Sequence, residues 1–320
     1  MVSKPNDITN KILLIPKSII WRVFSSIDIS TYSINRINFT FMKSSYFIFI
    51  ISLFFISCNN SKHLILPKRN NAAVTGTEFY KSVFSAGRIE RETLAKNEIL
   101  HGNVPAFLRK MVKIKTSITM DDGRIIHAYY FAIPDYLSIG SDKDFARIPL
   151  TPMAAQVIAD SLDCFLPTRK MVNDIYEEAK VKPDPVPMYA FRDSAVTMYQ
   201  HNLIIEGQRK LRKGLIAGIK KDVVITEKLS RASTPDRVAI YGWQKPDGKP
   251  IQPLYTGHVN WYVDYSHGIR LIDRTIYVNN KPMDYTDVLK DKTLRRLLCD
   301  EEYCDCYRYN TTDSVTVSTQ

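Results

Sequence analysis

The sequence predicts an α+β fold, a single domain in which a helical middle segment packs on a mostly antiparallel sheet. Two observations predict it. Segments on both sides of the middle read as short strands joined by Asp-Gly turns, at 122–123 and 247–248. Between them, residues 151–215 carry helix start signals and helical spacing of apolar residues. The sequence has no internal repeat, and the predicted domain spans residues 77–310.

The first part of this domain combines short helices with a hairpin. Residues 77–108 are consistent with short helices. Residues 112–118 then alternate apolar and polar side chains, as a half-buried strand does. Asp122-Gly123 predicts a hairpin turn, and residues 124–132, which contain His127, return as the second strand.

The middle segment contains two helices with clear start signals. Thr151 and Pro152 provide an N-cap hydroxyl and a proline at the first helical position. Thr168 caps the second helix, and prolines from 183 onwards end it. We expect residues 198–215 to be helical again. The apolar face of the second helix consists of Met171, Val172, Ile175 and Tyr176.

After residue 221 the chain reads mostly as strands, and two short helices, 284–289 and 292–298, close the domain. A strand through residues 261–265 would place Trp261 and Tyr265 on one face and Asp264 on the other. The predicted strands are 222–226, 237–243, 251–255, 259–263, 269–272 and 275–278.

The N-terminal segment differs from the rest of the chain. Residues 46–56 read YFIFIISLFFI, an apolar run of signal-peptide length that is too short to cross a bilayer as a helix. Lys43 precedes the run, and Ser57-Cys58 ends it. A small residue directly before a cysteine resembles the lipobox of bacterial lipoproteins, although Phe55 stands where that family usually has a smaller aliphatic residue. The resemblance implies cleavage before Cys58 and two acyl chains, which give a stable membrane anchor.

This resemblance divides the chain into predicted segments. Translation would begin at Met42, so that residues 1–41 are a mis-assigned extension; the alternative is a genuine long N-terminal region. Residues 42–57 would be the signal peptide, 58–76 a tether and 311–320 a polar tail. An uncleaved transmembrane anchor and an ordinary secretory signal are the alternatives to lipidation. We therefore expect a protein of the cell envelope, anchored to a membrane by lipid and facing the periplasm or the cell exterior.

Charge and cysteine content limit which binding partners and metal sites the sequence predicts. Without residues 1–57, 38 Lys and Arg face 31 Asp and Glu, and the basic residues are densest at 209–213 and 220–221. No zinc-finger spacing, RNP-type strand or helix-turn-helix pattern occurs, so we expect no nucleic-acid partner. In an oxidising compartment Cys299 is expected to pair with Cys304 or Cys306. These thiols lack the paired CxxC spacing of a zinc site.

The densest group of polar and aromatic residues is the strip formed by residues 255–270. Three interpretations of the strip stay open. His258, Asp264 and His267 could hold a divalent metal ion that activates water. Ser266 or Cys164 could act as a nucleophile with a histidine as its base. Alternatively, the polar groups form a ligand pocket or a structural network without chemistry.

Known families resemble parts of this pattern. The His-Asp spacing loosely resembles the zinc D-Ala-D-Ala carboxypeptidases, but it is one residue short and lacks their Ser-x-His start. Cys164 followed by a later histidine has the chain order of the NlpC/P60 peptidoglycan hydrolases, without their Asp-Cys-Ser-Gly context. Residues 112–298 are similar to a family of uncharacterised exported bacterial proteins, which implies one continuous domain and no established activity. Where that family often has Gly-His-Lys-Lys-Asp, this chain has Ile219 in place of the histidine, which weakens a catalytic role for the strip.

The working hypothesis is an envelope-anchored hydrolase that acts on a cell-wall or extracellular polymer, with its site in the strip and a divalent metal as candidate cofactor. The competing hypothesis is a non-catalytic binding or structural lipoprotein. Arg270 could bind a carboxylate or phosphate in a bidentate manner, or it could equally pair with Asp273 or Asp264. Trp261, Tyr262 and Lys221 are the other candidate binding residues.

Overall fold

The computed structural model describes residues 61–233 and 235–312. Their fold is α+β, as predicted, with helices and two larger sheets in which antiparallel pairs dominate. Cys58 and the predicted signal peptide lie outside the described residues, as do residues 313–320 of the predicted tail. Within the described ranges, no helix combines the length and the apolar character needed to span a membrane.

A six-stranded sheet is built around the predicted hairpin. Strands β1 (Val112–Thr119) and β2 (Ile125–Ala132) pair antiparallel along their full length. In the turn between them Gly123 has a φ of +81°, and the Asp122 carboxylate accepts the backbone N–H of Arg124 at 3.0 Å. The sheet also contains β5 (Cys164–Phe165), β10 (Ile272–Asp273), β11 (Thr275–Val278) and β12 (Lys281–Asp284).

A four-stranded sheet positions the strip. Strands β7 (Arg237–Gln244) and β8 (Pro250–Val259) form the hairpin predicted at Asp247-Gly248. Strand β6 (Lys221–Val223) pairs antiparallel with β7 and parallel with β9 (His267–Gly268), so β6 lies between the hairpin and the end of the strip. A separate antiparallel pair consists of β3 (Ser138–Gly140) and β4 (Phe145–Arg147).

The predicted strand at 259–263 is wrong beyond Val259, where β8 ends. The backbone N–H of Tyr262 donates to the carbonyl of Val259 at 3.0 Å, which turns the chain. The Asp264 carboxylate then accepts the N–H of Ser266 at 2.8 Å and forms a second turn. Because an aspartate side chain competes for backbone N–H groups in this way, the alternation of residue types here does not produce a strand.

The helices begin where their capping residues predict. The Thr151 hydroxyl accepts the N–H of Ala154 at 3.4 Å, and the Thr168 hydroxyl accepts the N–H of Met171 at 3.2 Å. The predicted apolar face of the helix after Thr168 is buried. The helices are α1 (Gly76–Ser82), α2 (Arg88–Leu100), α3 (Ala106–Arg109), α4 (Pro152–Ser161), α5 (Arg169–Glu178), α6 (Ala195–Arg209), α7 (Glu227–Ser230), α8 (Tyr285–Lys290) and a 3₁₀ turn, Leu294–Leu297.

The described part of the predicted tether lies on the fold. Leu64 is buried, and its N–H donates to the carbonyl of Arg109 at 2.9 Å. Further along, Nε of Arg69 donates to Oδ1 of Asn103 at 2.7 Å. The packed fold therefore begins before residue 77, because backbone and side-chain groups of this segment have partners in the domain.

The cysteines follow one of the two pairings that the sequence left open. Cys299 and Cys304 form a disulfide, with a sequence separation of 5 residues. Cys306 and Cys164 are free, and Cys164 is buried. The disulfide therefore closes a short loop directly after the last 3₁₀ turn.

Candidate functional site

The pairing of β6 with β9 places the end of the strip beside the segment Lys220-Lys221-Asp222. Because β6 and β9 are parallel neighbours, Lys221 pairs with His267, and Asp222 pairs with Gly268. The polar side chains that meet around these strands are each at most 2% exposed. We call them the buried cluster: His201, Lys220, Asp222, Asp264, Ser266, His267 and Arg270.

Asp264 is the most heavily bonded carboxylate of the buried cluster. It accepts the Ser266 hydroxyl at 2.5 Å, the Tyr262 hydroxyl at 3.1 Å and Nη2 of Arg192 at 2.7 Å. Burial alone would raise the pKa of Asp264, but the hydrogen bonds from Ser266 and the Arg192 guanidinium hold it well below its usual range. Asp264 is therefore ionised, and its oxygens are occupied by protein groups.

His267 does not form the predicted nucleophile–base pair with Ser266. Its two ring nitrogens have no hydrogen-bond partner among the described residues, and the ring is 1% exposed. Burial lowers the pKa of His267 to about 4, against the attraction of Asp264. The ring is thus neutral near pH 7 and sealed from solvent, and the Ser266 hydroxyl donates to Asp264 instead.

Lys220 and His201 form a second part of the buried cluster. Nζ of Lys220 donates to the carbonyl of Tyr265 at 2.6 Å and lies 3.4 Å from Nδ1 of His201. Burial and the Arg147 charge lower the pKa of Lys220 to about 7. Burial and the Lys220 charge lower the pKa of His201 to about 2, so this ring is also neutral.

Arg270 has a structural position and not the predicted ligand-binding one. Its Nη atoms donate to the carbonyls of Ile133 at 3.1 Å and Ile216 at 2.9 Å. Its Nε lies 3.6 Å from Oδ1 of Asp222, whose other oxygen accepts the Tyr136 hydroxyl at 3.2 Å. Burial raises the pKa of Asp222 to about 6, although Arg270 opposes the shift.

The remaining chemical candidates are separated from one another or enclosed. Among the described residues, no group of three His, Cys, Asp or Glu side chains is placed to hold a metal ion. The metal interpretation of His258, Asp264 and His267 is therefore wrong, because the Asp264 oxygens serve other partners. Cys164 is buried, and burial raises the pKa of its thiol, so it is no ready nucleophile. Lys221 is 7% exposed, with its ammonium 5.0 Å from the Trp243 ring centroid.

An open hollow of about 420 Å³, which we call the Arg91 cleft, lies beside residues 261–263 in the middle of the strip. Trp261, which is 43% exposed, and Tyr262 form part of its wall, and Phe84 contributes a third ring. Asp193 is the acidic side chain of the lining. The cleft thus combines aromatic surface with polar groups, the usual composition of a small-ligand site.

Arg91 is the unusual group in this cleft. The side chain is 5% exposed, and its Nε has no hydrogen-bond partner among the described residues. Burial lowers the pKa of Arg91, and the charges of Tyr80, Glu92 and Asp193 offset this only in part. A buried guanidinium is normally paired, so an unpaired one at a hollow indicates a site for an anionic partner.

Two helices begin at the same cleft. The cap of α2 is Gly87, which offers no side-chain hydrogen bond, and Gly87 and Arg88 both line the cleft. The cap of α6 is Ser194, whose hydroxyl accepts the N–H of Thr197 at 3.1 Å, and Ala195 also lines the cleft. The first N–H groups of a helix have no acceptor within the helix, so both ends present positive partial charge.

No family model, curated protein or solved structure matches this chain. The family resemblances drawn from the sequence therefore stay predictions, and the geometry of the chain's own residues has to support any function.

The structure separates the predicted site residues into three groups. Trp261 and Tyr262 line the Arg91 cleft. His258 is half-buried between aromatic rings, with its centroid 4.6 Å from that of Tyr262. The other predicted residues are enclosed, namely Lys221, Asp264, Ser266, His267 and Arg270.

Sequence reasoning missed Arg91 and both helix starts at the cleft. Arg91 lies one turn after Gly87, within the segment for which the sequence predicted short helices without boundaries. A glycine before a helix with an arginine in its first turn was the available signal. That signal indicates a binding site only in the folded chain, where a second helix start and Trp261 line the same cleft.

Proposed function

We propose that this protein is an envelope-anchored lipoprotein that binds a cell-wall or extracellular carbohydrate polymer. The observation that carries the proposal is the Arg91 cleft, an open hollow with the rings of Phe84, Trp261 and Tyr262 in its wall. Trp261 leaves 43% of its surface in solvent although a tryptophan gains much from burial. The apolar face of a sugar ring can cover such a ring while its hydroxyls meet the polar lining.

The polar groups of the cleft favour binding over hydrolysis. Asp193 is the sole carboxylate among the described residues of its lining, whereas glycoside hydrolysis normally uses two carboxyl groups. The Ser194 hydroxyl is bonded to the N–H and the hydroxyl of Thr197, at 3.1 and 3.0 Å. No described lining residue pairs this hydroxyl with a base, which a nucleophile requires.

The anchor part of the proposal depends on the sequence around Cys58. In a bacterial host that lipidates proteins, the wild type should incorporate labelled palmitate and fractionate with membranes. Cys58→Ala should lose the label and leave the membrane fraction, because the acylated thiol is absent. Cys306→Ala, which removes a free cysteine of the domain, is the matched control. Equal labelling of wild type and Cys58→Ala would contradict lipidation.

Carbohydrate binding is tested by isothermal titration calorimetry of the full chain in detergent. The probes are chitohexaose, hexagalacturonate, hexaguluronate and cellohexaose. We expect at least one probe to bind, and Trp261→Ala to weaken that binding about tenfold, as loss of an aromatic anchor does. Tyr189→Ala is the control, since Tyr189 is 88% exposed and lies outside the cleft lining. Failure of every probe to bind the wild type, or unchanged affinity in Trp261→Ala, contradicts the proposal.

One observation favours a second function, the hydrolase. His267 is enclosed beside an ionised Asp264, and neither of its ring nitrogens has a hydrogen-bond partner in the described part of the chain; such groups are often found at reactive sites. The wild type and His267→Ala should be compared on peptidoglycan and on polysaccharides, with released reducing ends and peptides as the readout. Hydrolysis that the variant loses supports this function, and no product from the wild type contradicts it.

A further inference from the structure

We propose that the Arg91 cleft binds the carboxylate of an acidic sugar residue, such as a uronic acid, within the polymer. This inference rests on the proposed function, because it names the class of carbohydrate that the cleft takes. Three features of the cleft support it: a buried guanidinium, two helix N-termini, and a hydrogen-bond acceptor beside an exposed tryptophan.

The Arg91 guanidinium lacks an anionic partner among the described residues. Arg91 is 5% exposed, and the described part of the chain contains neither a hydrogen bond donated by its Nε nor an ion pair with its guanidinium. Keeping a charge buried without a partner is unfavourable, and a bound carboxylate would supply that partner. The planar guanidinium matches a carboxylate in a two-bond geometry that a lysine cannot provide.

The helix starts add to this attraction. Helix α2 has 13 residues and helix α6 has 15, so each is long enough to develop a positive N-terminal end. Gly87 leaves open space where a side chain would stand, since a Cβ there would meet nothing within 4 Å. An anionic group can therefore approach the backbone N–H groups of α2 closely.

Asp193 and Trp261 select a sugar over a simple anion. The Asp193 carboxylate repels a free anion, but it accepts hydrogen bonds from hydroxyl groups. Trp261 offers a flat apolar face at the same cleft. A ring that carries hydroxyls on one side and one carboxylate on another satisfies both residues and Arg91. A phosphate fits less well, because its second negative charge would lie near Asp193.

The test compares three hexamers of one sugar backbone by calorimetry on the full chain. The probes are hexagalacturonate, its methyl ester and neutral galactohexaose. We expect the acid to bind at least tenfold more tightly than the ester or the neutral hexamer. Arg91→Gln should remove this preference, Arg91→Lys should keep part of it, and Arg124→Gln, a charge loss on an exposed hairpin, should keep all of it.

Each outcome separates this inference from the proposed function. Equal affinities for the acid and the ester overturn the carboxylate site and leave carbohydrate binding intact. No binding of any hexamer, with none of the earlier probes bound, overturns both. Tighter binding of galactose 6-phosphate than of galacturonate, dependent on Arg91, replaces the carboxylate by a phosphate and overturns the inference. If Arg91→Gln does not fold, the salt dependence of wild-type binding provides the test. Raising NaCl from about 20 to about 500 mM should weaken the binding of the acid severalfold and leave the binding of the neutral hexamer unchanged.

Discussion

The buried cluster and the Arg91 cleft differ in whether their charged groups have partners in the protein. Asp264 accepts hydrogen bonds from Ser266, Tyr262 and Arg192, and Arg270 donates to two backbone carbonyls. Arg91, in contrast, is almost as deeply buried and borders an open hollow, and no hydrogen bond or ion pair of its guanidinium occurs among the described residues. A dense group of polar residue types therefore marks where the fold pairs its own charged groups, and an unmatched charge at a hollow marks where a ligand is needed.

This difference predicts that substitutions in the two regions affect different properties of the protein. Substitutions in the buried cluster should change the free energy of unfolding, because their partners belong to the fold. Substitutions in the cleft should change ligand affinity and leave stability almost unaltered, because their partner is the ligand.

The largest expected effect is that of Asp264→Ala. The substitution leaves the Arg192 charge and the Ser266 hydroxyl without their acceptor, next to the enclosed His267 ring. Loss of one member of a buried charged network costs about 3–5 kcal/mol in the free energy of unfolding. Urea unfolding followed by circular dichroism measures it. A loss below about 1 kcal/mol would show that these bonds do not support the fold.

Gly268→Ala should destabilise the same region by about 1–3 kcal/mol, the range for overpacked cores. A Cβ at Gly268 would lie 2.5 Å from Cδ1 of Tyr136 and 2.8 Å from Cβ of Lys220. The control is Gly207→Ala in α6, where a Cβ would meet nothing within 4 Å. That variant should be more stable than wild type by about 0.5–1 kcal/mol, because alanine favours a helix over glycine. Similar thermal midpoints for the two variants would contradict the packing around Gly268.

Lowering the pH should reduce the free energy of unfolding of the wild type through His267, by a smaller amount than the substitutions above. In the unfolded chain this ring takes up a proton as the pH falls below its usual pKa of 6.5, whereas the folded ring resists until a pKa of about 4. The wild type therefore loses stability from this group as the pH falls from 7 to 5, by about 1–2 kcal/mol. The loss levels off below the folded pKa.

His267→Gln lacks this titration, so its destabilisation relative to wild type should shrink between pH 7 and pH 5. Urea unfolding at both pH values measures the change. The same replacement at His127, an exposed residue of β2, controls for removal of a histidine. A difference between wild type and His267→Gln that stays constant with pH would mean that the ring takes up its proton in the folded protein as readily as in the unfolded chain.

The smallest stability effect is expected at the cleft. Asp193→Asn keeps a hydrogen-bond acceptor on an exposed residue and should change the free energy of unfolding by less than about 0.5 kcal/mol. Removal of the negative charge near the proposed carboxylate should raise the affinity for hexagalacturonate about threefold. Calorimetry measures the change, with the neutral hexamer as control. A weaker affinity for the acid would place the carboxylate away from Asp193.

The helices and hairpins were predictable because their signals are local. Thr151 and Thr168 cap helices through bonds to N–H groups three residues away, and Asp122-Gly123 turns the chain within four residues. A local signal also explains why the predicted strand at 259–263 is wrong beyond Val259. Asp264 forms a local turn whose energy outweighs the alternation of apolar and polar residues.

The sites were not predictable to the same degree, because they depend on contacts between distant parts of the chain. Sequence alone determined the α+β class, the capped helices, the importance of Trp261 and Tyr262 as candidates, and the expectation of a lipid anchor at Cys58. Only the tertiary structure decided that His267 is enclosed beside Lys221 through the parallel pairing of β6 and β9. It also decided that Arg91 and the start of α6 line the same cleft. Burial and charge pairing depend on which segments pack together, and residues far apart in the sequence carry no local signal of that.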